Sequence, residues 1–342
     1  MNELVEKLRE EKILSREEFK ILLAEGGEEL HKAAREVCES VFGTDVYIRG
    51  LIEFTNYCGR NCNYCGIRSG NAKLERYRLS VGEILACCAK GYELGIRTFV
   101  LQGGEDDFYS DERLVEAIVR IKTNHPDCAI TLSVGERSRE SYKRLFDAGA
   151  DRYLLRHETA SDELYARLHP ADLSLASRKK CLLDLKEIGY QVGCGFMVGS
   201  PGQTLGHIAD DFLFIRELDP HMVGIGPFMP HADTVYADEP PGDLNLVLNA
   251  LAILRLMNPN VLLPSTTALG TLSKKGRELG ILAGANVVMP NLTPAVFRKK
   301  YMLYDNKIGT SDDAVKTKTK IAEQMQNVGR KIVVKRGDFG DV

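Results

Sequence analysis

Apolar positions along this chain fall into two rhythms. Up to residue 45 they recur at helical spacing among charges: Leu4, Leu8 and Ile13, then Phe19, Leu22 and Leu23. That period predicts helices, and Ser15-Arg-Glu-Glu has the form of a capping box opening the second of them. From Val46 the pattern changes. Short β-rich runs stand at Val46–Phe54, Thr98–Gln102, Ala129–Val134, Arg152–His157, Gln191–Val198, Met222–Phe228, Val261–Thr267 and Asn286–Met289. Helical stretches alternate with them at Val81–Leu94, Asp111–Thr123, Arg139–Ala148, Leu175–Ile188, Leu205–Leu218, Leu244–Leu256 and Gly276–Ala283. Gly95, Gly149, Gly189 and Gly284 occupy helix C-cap positions ahead of strands. Eight strand–helix units over about 250 residues predict the α/β class, as a (β/α)8 TIM-type barrel. The expected organisation is an N-terminal helical extension (1–45), the barrel (46–309) and a short C-terminal tail (310–342). Within the tail, Ala314–Val328 reads as a helix and KIVVKRGDFGDV as a strand or loose chain. An open Rossmann-type sheet is the rival architecture. Its glycine-rich candidate, GCGFMVG at 193–199, lies inside a predicted strand rather than at a strand-to-helix turn, which counts against it.

Composition narrows the function classes. The 342 residues suit one large barrel, or two average domains, with an ample core. A net charge of −3 leaves no basic footprint, so nucleic acid is not expected as a partner. The start, MNELVEKLREEK, has no apolar core of a secretory signal. The longest uncharged stretch, near Gly189–Ala209, is broken by glycines, Pro201, Gln203 and His207, so no membrane helix is predicted. Nine cysteines, an odd number, suit a reducing compartment better than a disulfide framework, and the expected location is the cytoplasm.

Barrel active sites gather at the C-terminal ends of the strands. In this chain those ends carry Gln102-Gly-Gly-Glu105, Ser133-Val-Gly-Glu136, Arg156-His157-Glu158, the 197–203 and 224–231 loops, Pro264-Ser-Thr-Thr267 and Met289-Pro-Asn-Leu-Thr293. Polar and glycine residues thus converge on one rim above apolar strand bodies, the pattern of a cavity site. The first strand leads into Cys58-Gly-Arg-Asn-Cys62-Asn-Tyr-Cys65-Gly66. Three thiolates on one short loop can hold three corners of a cubic iron–sulfur cluster and leave the fourth iron open. A closed zinc or cluster site would normally add a fourth Cys or His. The alternatives are a zinc knuckle or three unrelated core cysteines.

CxxxCxxC followed by glycine resembles the signature of the radical S-adenosylmethionine (SAM) superfamily. The resemblance implies one 4Fe–4S cluster on Cys58, Cys62 and Cys65, with SAM chelating the open iron and cleaved to methionine and a deoxyadenosyl radical. Gly103-Gly104-Glu105 resembles the motif whose backbone receives the methionine amino group, and Gln102 falls beside it. By the same likeness Arg178 pairs with the methionine carboxylate, Glu158 with the ribose, and the backbone of Tyr64 with adenine. Glycine permits close approach, and arginine grips a carboxylate with two donors. For Arg178 and Glu158 the plainer alternatives are a surface helix charge and a structural ion pair.

Longer stretches, among them RYLLRHETA, MVGIGPFMPHADT, PSTTALGT, GANVVMPNLTP and KKYMLYDNK, resemble the FeFe-hydrogenase maturases of the HydE family over roughly three quarters of the chain. This resemblance implies an enzyme acting in assembly of the hydrogenase active-site precursor. Its substrate would be a small organometallic iron or cysteine-derived species, and sister hydrogenase maturases would be partners. Arg156, Thr266, Thr267, Tyr301 and Tyr304 would surround that substrate. The threonines could instead cap a helix and the tyrosines simply pack. Two departures stand out. Some members carry a second cluster on C-terminal cysteines, whereas the last cysteine here is Cys194, so one cluster is expected. Gly103 stands where a serine is frequent. Cys38, Cys87, Cys88, Cys128, Cys181 and Cys194 read as small buried hydrophobes. Other readings are a related radical SAM enzyme on an amino-acid-like substrate, such as a methylornithine synthase or a biotin-synthase-like enzyme, and a metal-fragment carrier without turnover.

Overall fold

In the computed structural model, which describes residues 2–340, the first apolar run divides at Arg49. Asp45–Ile48 pairs with Val287–Val288, while Gly50–Thr55 pairs with Thr98–Gly103. Pairing continues through Ala129–Ser133, Arg152–Leu154, Gln191–Cys194 and Met222–Val223. A second segment of strands five and six, Met197–Val198 with Gly226–Pro227, extends the wall toward the C-terminal rim. Single bridges from Met222 to Leu262, Pro264 to Val287 and Leu51 to Asn291 close the ring. Every one of these pairings is parallel. The architecture is therefore the expected barrel, with its seventh position reduced to isolated bridges. Thr267, expected to end strand seven, instead begins the helix Thr267–Leu272.

Helices Leu175–Ile188 and Leu205–Leu218 span the expected residues. Asp162–Leu168, Thr267–Leu272 and Ala295–Arg298 were not predicted. All three are short, so their apolar positions never complete a recognisable period.

The N-terminal helices Asn2–Glu11, Arg16–Glu25 and Gly27–Phe42 cover the barrel's flank. The predicted capping box of Ser15 and Glu18 is formed. The three helices pack on Leu244–Met257, in which every residue from Val247 to Met257 is buried. Phe19 meets Phe212 with ring centroids 5.1 Å apart. A helix apolar on all sides needs cover on all sides, and the extension supplies it.

The tail forms a helix, Ala314–Asn327, and a strand, Lys331–Val333, which pairs in parallel with Asp45–Ile48. The chain then crosses the N-terminal end of the barrel. Arg152, fully buried, pairs with Asp338, and Thr98 Oγ1 donates to the Arg336 carbonyl at 2.7 Å. The tail thus closes the end opposite the strand-end loops. Among the described residues, no helix is long and apolar enough to cross a membrane.

Candidate active site

The cysteine loop leaves strand one and is pinned by neighbours from other parts of the chain. Gly59 N donates to Glu105 O at 2.8 Å, Asn63 N to Leu168 O at 2.9 Å, and Gly66 N to Leu303 O at 2.9 Å. Val235 N in turn donates to Asn63 O at 3.2 Å. Two glycines make this closeness possible. A Cβ on Gly104 would stand 2.6 Å from Cys58 Cβ and overlap the Tyr57 carbonyl. A Cβ on Gly66 would overlap the Met302 carbonyl and His231. Gly104 therefore lets the loop seat against strand two, in addition to whatever ligand its backbone meets. A Cβ on Gly103 would come 2.7 Å from Thr55 Cγ2, so a serine there requires Thr55 to shift.

The three thiols open on one cavity of about 310 Å³ at the C-terminal rim. Burial pushes the Cys62 thiol up to about 12, reinforced by Cys58. Cys58 and Cys65 are also raised, chiefly by burial. Burial keeps these thiols protonated; bound iron would take up the negative charge they resist. Among the described residues, no three His, Cys, Asp or Glu side chains are gathered closely enough for a single metal ion. The loop therefore presents spaced thiols rather than a closed tetrahedral cage.

The same cavity is lined by Tyr64, Gln102, Gly103, Gly104, Glu105, Glu158 and Arg178. Glu105 accepts from Arg60 Nε at 2.5 Å and from the Glu136 backbone N at 3.1 Å. Arg178 Nε lies 2.8 Å from Glu136 Oε1, an ion pair with both side chains about one-tenth exposed. Burial opposes the Arg178 charge, but Tyr165, Glu136 and Glu105 outweigh it and hold the guanidinium protonated. Glu158 stands at φ +66°, in the left-handed region, clamped by its N–H to Gly195 O at 3.0 Å. Beneath it, fully buried His157 lies 3.3 Å from Asp211, with burial lowering the imidazole to about 3. A non-glycine residue held in that region is a strained position that its surroundings must enforce.

Arg178 Nε and Glu136 Oε1 are spent on their ion pair, Arg156 Nη2 lies 3.1 Å from Glu158 Oε2, and Arg156 Nε is buried without a hydrogen-bond partner. Buried polar groups are normally satisfied. Two carboxylate–guanidinium pairs and one guanidinium nitrogen without a partner, beside three thiols, fit a polar zwitterionic ligand.

Arg156, Thr266, Tyr301 and Tyr304 line the far side of the cavity. Thr267 is not among the lining residues; it opens its helix. Thr266 lines the cavity and caps that helix at once, its Oγ1 accepting from Leu269 N at 3.4 Å. Tyr301 is buried and accepts from Gln102 Nε2 at 3.3 Å. The tyrosines ride on a strap, residues 300–309, anchored inside the barrel by a buried Lys307–Glu53 ion pair. Glu53 also accepts from Asn291 Nδ2 at 2.7 Å. Burial raises Tyr304 to about 12 and holds Tyr301 higher still.

Cys194 is fully buried, lies near Asp211 and does not line the cavity. Sequence reasoning passed over Arg60, Arg76, Glu136, Tyr165 and His169. Of these, only Glu136 carried a signal, its place at the end of strand three. His169 stacks on Tyr165 at 3.9 Å and meets the Tyr64 ring edge-on at 5.5 Å, which fixes the tyrosine between the second and third cysteines.

Comparison with known proteins agrees with this geometry. Residues 52–215 match the Radical SAM superfamily. The chain is 44% identical to the [FeFe] hydrogenase maturase subunit HydE of Thermotoga maritima, over 96% of this chain and 94% of that protein. It is 30% identical to 3-methylornithine synthase of Methanosarcina acetivorans, over 94% and 91%. Among solved structures, methylornithine synthase (PylB) superposes with a TM-score of 0.84 at 26% identity, covering 96% of this chain and 97% of that one.

Proposed function

Because the chain belongs to the radical SAM superfamily and, within it, to the HydE family of [FeFe]-hydrogenase maturases, we propose that it carries one 4Fe–4S cluster on Cys58, Cys62 and Cys65 and acts in the cytoplasm on a precursor of the hydrogenase active site. It is a radical SAM enzyme. A reduced cluster with SAM supplies homolytic cleavage of the sulfonium to methionine and a deoxyadenosyl radical. The chain's own part is to bind, orient and exclude water. Arg178, held protonated, faces the methionine carboxylate; the Gly103–Glu105 backbone receives the amino group; Glu158 takes the ribose hydroxyls; and the Tyr64 backbone meets adenine.

Across the cavity, Arg156, Thr266, Tyr301 and Tyr304 receive the substrate, while Thr267 opens the helix that Thr266 caps. A cation and hydroxyls suit an anionic, thiolate-bearing iron complex or a cysteine-derived fragment delivered by a sister maturase. The tyrosines, kept neutral, act as hydrogen-bond donors rather than bases.

The observation that carries this reading is the opening of three thiols together with Arg156, Glu158 and Arg178 on one cavity. A second reading, an enzyme on an amino-acid-like substrate, draws on the methylornithine synthase likeness. The test begins with anaerobic reconstitution, iron and sulfide counts, and electron paramagnetic resonance of the reduced protein with and without SAM. About four irons per chain and a signal that moves on adding SAM are expected. Zinc, or a signal indifferent to SAM, would overturn it. Release of deoxyadenosine on adding an iron–cysteine complex, but not free amino acids, separates the two substrate readings. No release with any substrate would favour a carrier.

A further inference from the structure

Arg76 lies behind the cysteine loop, outside the cavity. Its guanidinium spends two nitrogens on four backbone carbonyls. Nη1 donates to Asn56 O at 2.5 Å and Ile67 O at 2.8 Å, and Nη2 donates to Arg68 O at 2.6 Å and Asn71 O at 3.2 Å. Asn56 precedes Cys58, and the other three carbonyls follow Cys65. The arginine thus staples the two stems of the loop. Neighbouring contacts extend the same closure. The Asn56 side chain donates to Glu75 O at 2.9 Å and accepts from Tyr77 N at 2.7 Å. Asn71 Nδ2 donates to Gly66 O at 2.8 Å.

Arg76 makes no ion pair with a carboxylate among the described residues, unlike Arg60 with Glu105 and Arg78 with Asp106. Burial disfavours its charge, and the thiols of Cys58 and Cys65, then Tyr57, act in the opposite direction. A half-buried cation that spans both stems of the cysteine loop and has no carboxylate partner would be matched by the negative charge of a cluster held there. Adding one electron makes that cluster more negative, so a fixed cation behind it favours the reduced form. Cluster potential follows net charge and hydrogen bonding around the sulfurs.

We propose that Arg76 is a positioning residue for the cluster. It fixes the spacing of the three cysteines by closing their loop, and its charge raises the potential at which the cluster accepts an electron. The inference rests on the cluster reading above. Its test separates the two contributions. Arg76→Met removes staple and charge; Arg76→Lys keeps the charge but cannot span four carbonyls. Both variants and the wild type are reconstituted anaerobically, titrated electrochemically with electron paramagnetic resonance as readout, and challenged with an iron chelator. Melting curves of the metal-free chains accompany them.

Arg76→Met is expected to move the midpoint potential to more negative values and to weaken iron retention by about 10–100-fold. Arg76→Lys is expected to keep a near-wild-type potential while losing iron faster than wild type. A role in folding alone would lower melting temperature without moving the potential. A wild-type potential and wild-type retention in Arg76→Met overturn the inference while the cluster reading stands. If Arg76→Met does not fold, Arg76→Lys decides, and a wild-type rate of iron loss there overturns the staple. A wild-type chain that takes up no four-iron cluster overturns the cluster reading itself, and the inference with it.

Discussion

At the scale of single residues, the site is shaped as much by absent side chains as by present ones. Gly104 and Gly59 both flank the cysteine loop, yet they differ in what a methyl group would meet. At Gly104 it would stand 2.6 Å from Cys58 Cβ and overlap a carbonyl; at Gly59 the only neighbour is Glu105 O at 3.6 Å, an ordinary contact. Gly104→Ala must therefore push Cys58 away from strand two. We expect it to lose most bound iron on reconstitution, whereas Gly59→Ala keeps wild-type iron content. Equal iron in both would show that the loop is not held against strand two. The meeting of the three cysteines and Gly103–Glu105 on one cavity was legible because both motifs have fixed local spacing at strand ends. Arg60, Arg76 and Tyr165 were not. Arg60 pairs 45 positions away, with Glu105, and Arg76 bonds backbone, which has no letter in the sequence. Thr266 and Thr267 show a further limit. Cap and cavity wall use the same hydroxyl chemistry, and here Thr266 does both while Thr267 does neither with its side chain at the cavity.

At the scale of elements, the helices of ten or more residues from Val81 onward came through nearly to their bounds because amphipathic period and caps are local. Strands did so less well. The last one, Lys331–Val333, has too few residues for a pattern, and only its pairing with Asp45–Ile48 makes it a strand. The chain beyond this strand plugs the barrel, and Asp338 is the critical side chain. Burial pushes its carboxyl up, but hydrogen bonds and charge from Arg336 and Arg152 outweigh burial and hold it at about 2. A carboxyl depressed in the folded state contributes stability above its unfolded value, near 4, and loses it as pH falls toward 2. Asp338→Asn leaves Arg152, fully buried, without its carboxylate partner. The expected loss at neutral pH is on the order of 3 kcal/mol. Thermal melts of wild type and variant should converge as pH is lowered from 4 toward 2. A difference independent of pH across that range would assign the effect to packing rather than charge.

At the scale of the whole molecule, the question is whether the N-terminal helices are an accessory or part of the fold. The sequence pattern suggested a cap laid on the barrel, and their alternating charge did not reveal how much they cover. Helix Leu244–Met257 answers it. It has no continuous polar face, and residues Val247–Met257 are buried between the barrel and Gly27–Phe42 with its two companions. The contact is also specific: Asn249 donates to Leu23 O at 2.9 Å and sits 2.8 Å from His31 Nε2. Removing the extension would expose a continuous apolar surface and leave Asn249 unpaired, both unfavourable. The extension and the barrel should therefore unfold together. Thermal unfolding of the intact chain, followed by circular dichroism and by hydrogen exchange resolved to peptides, is expected to show one transition. Peptides from 16–42 and 244–257 should lose protection at the same temperature, and a chain shortened to begin at Thr44 should aggregate. Early loss of protection in 16–42 alone, with 244–257 still protected and the shortened chain soluble, would make the extension a separable cap and place the core of this molecule entirely within the barrel.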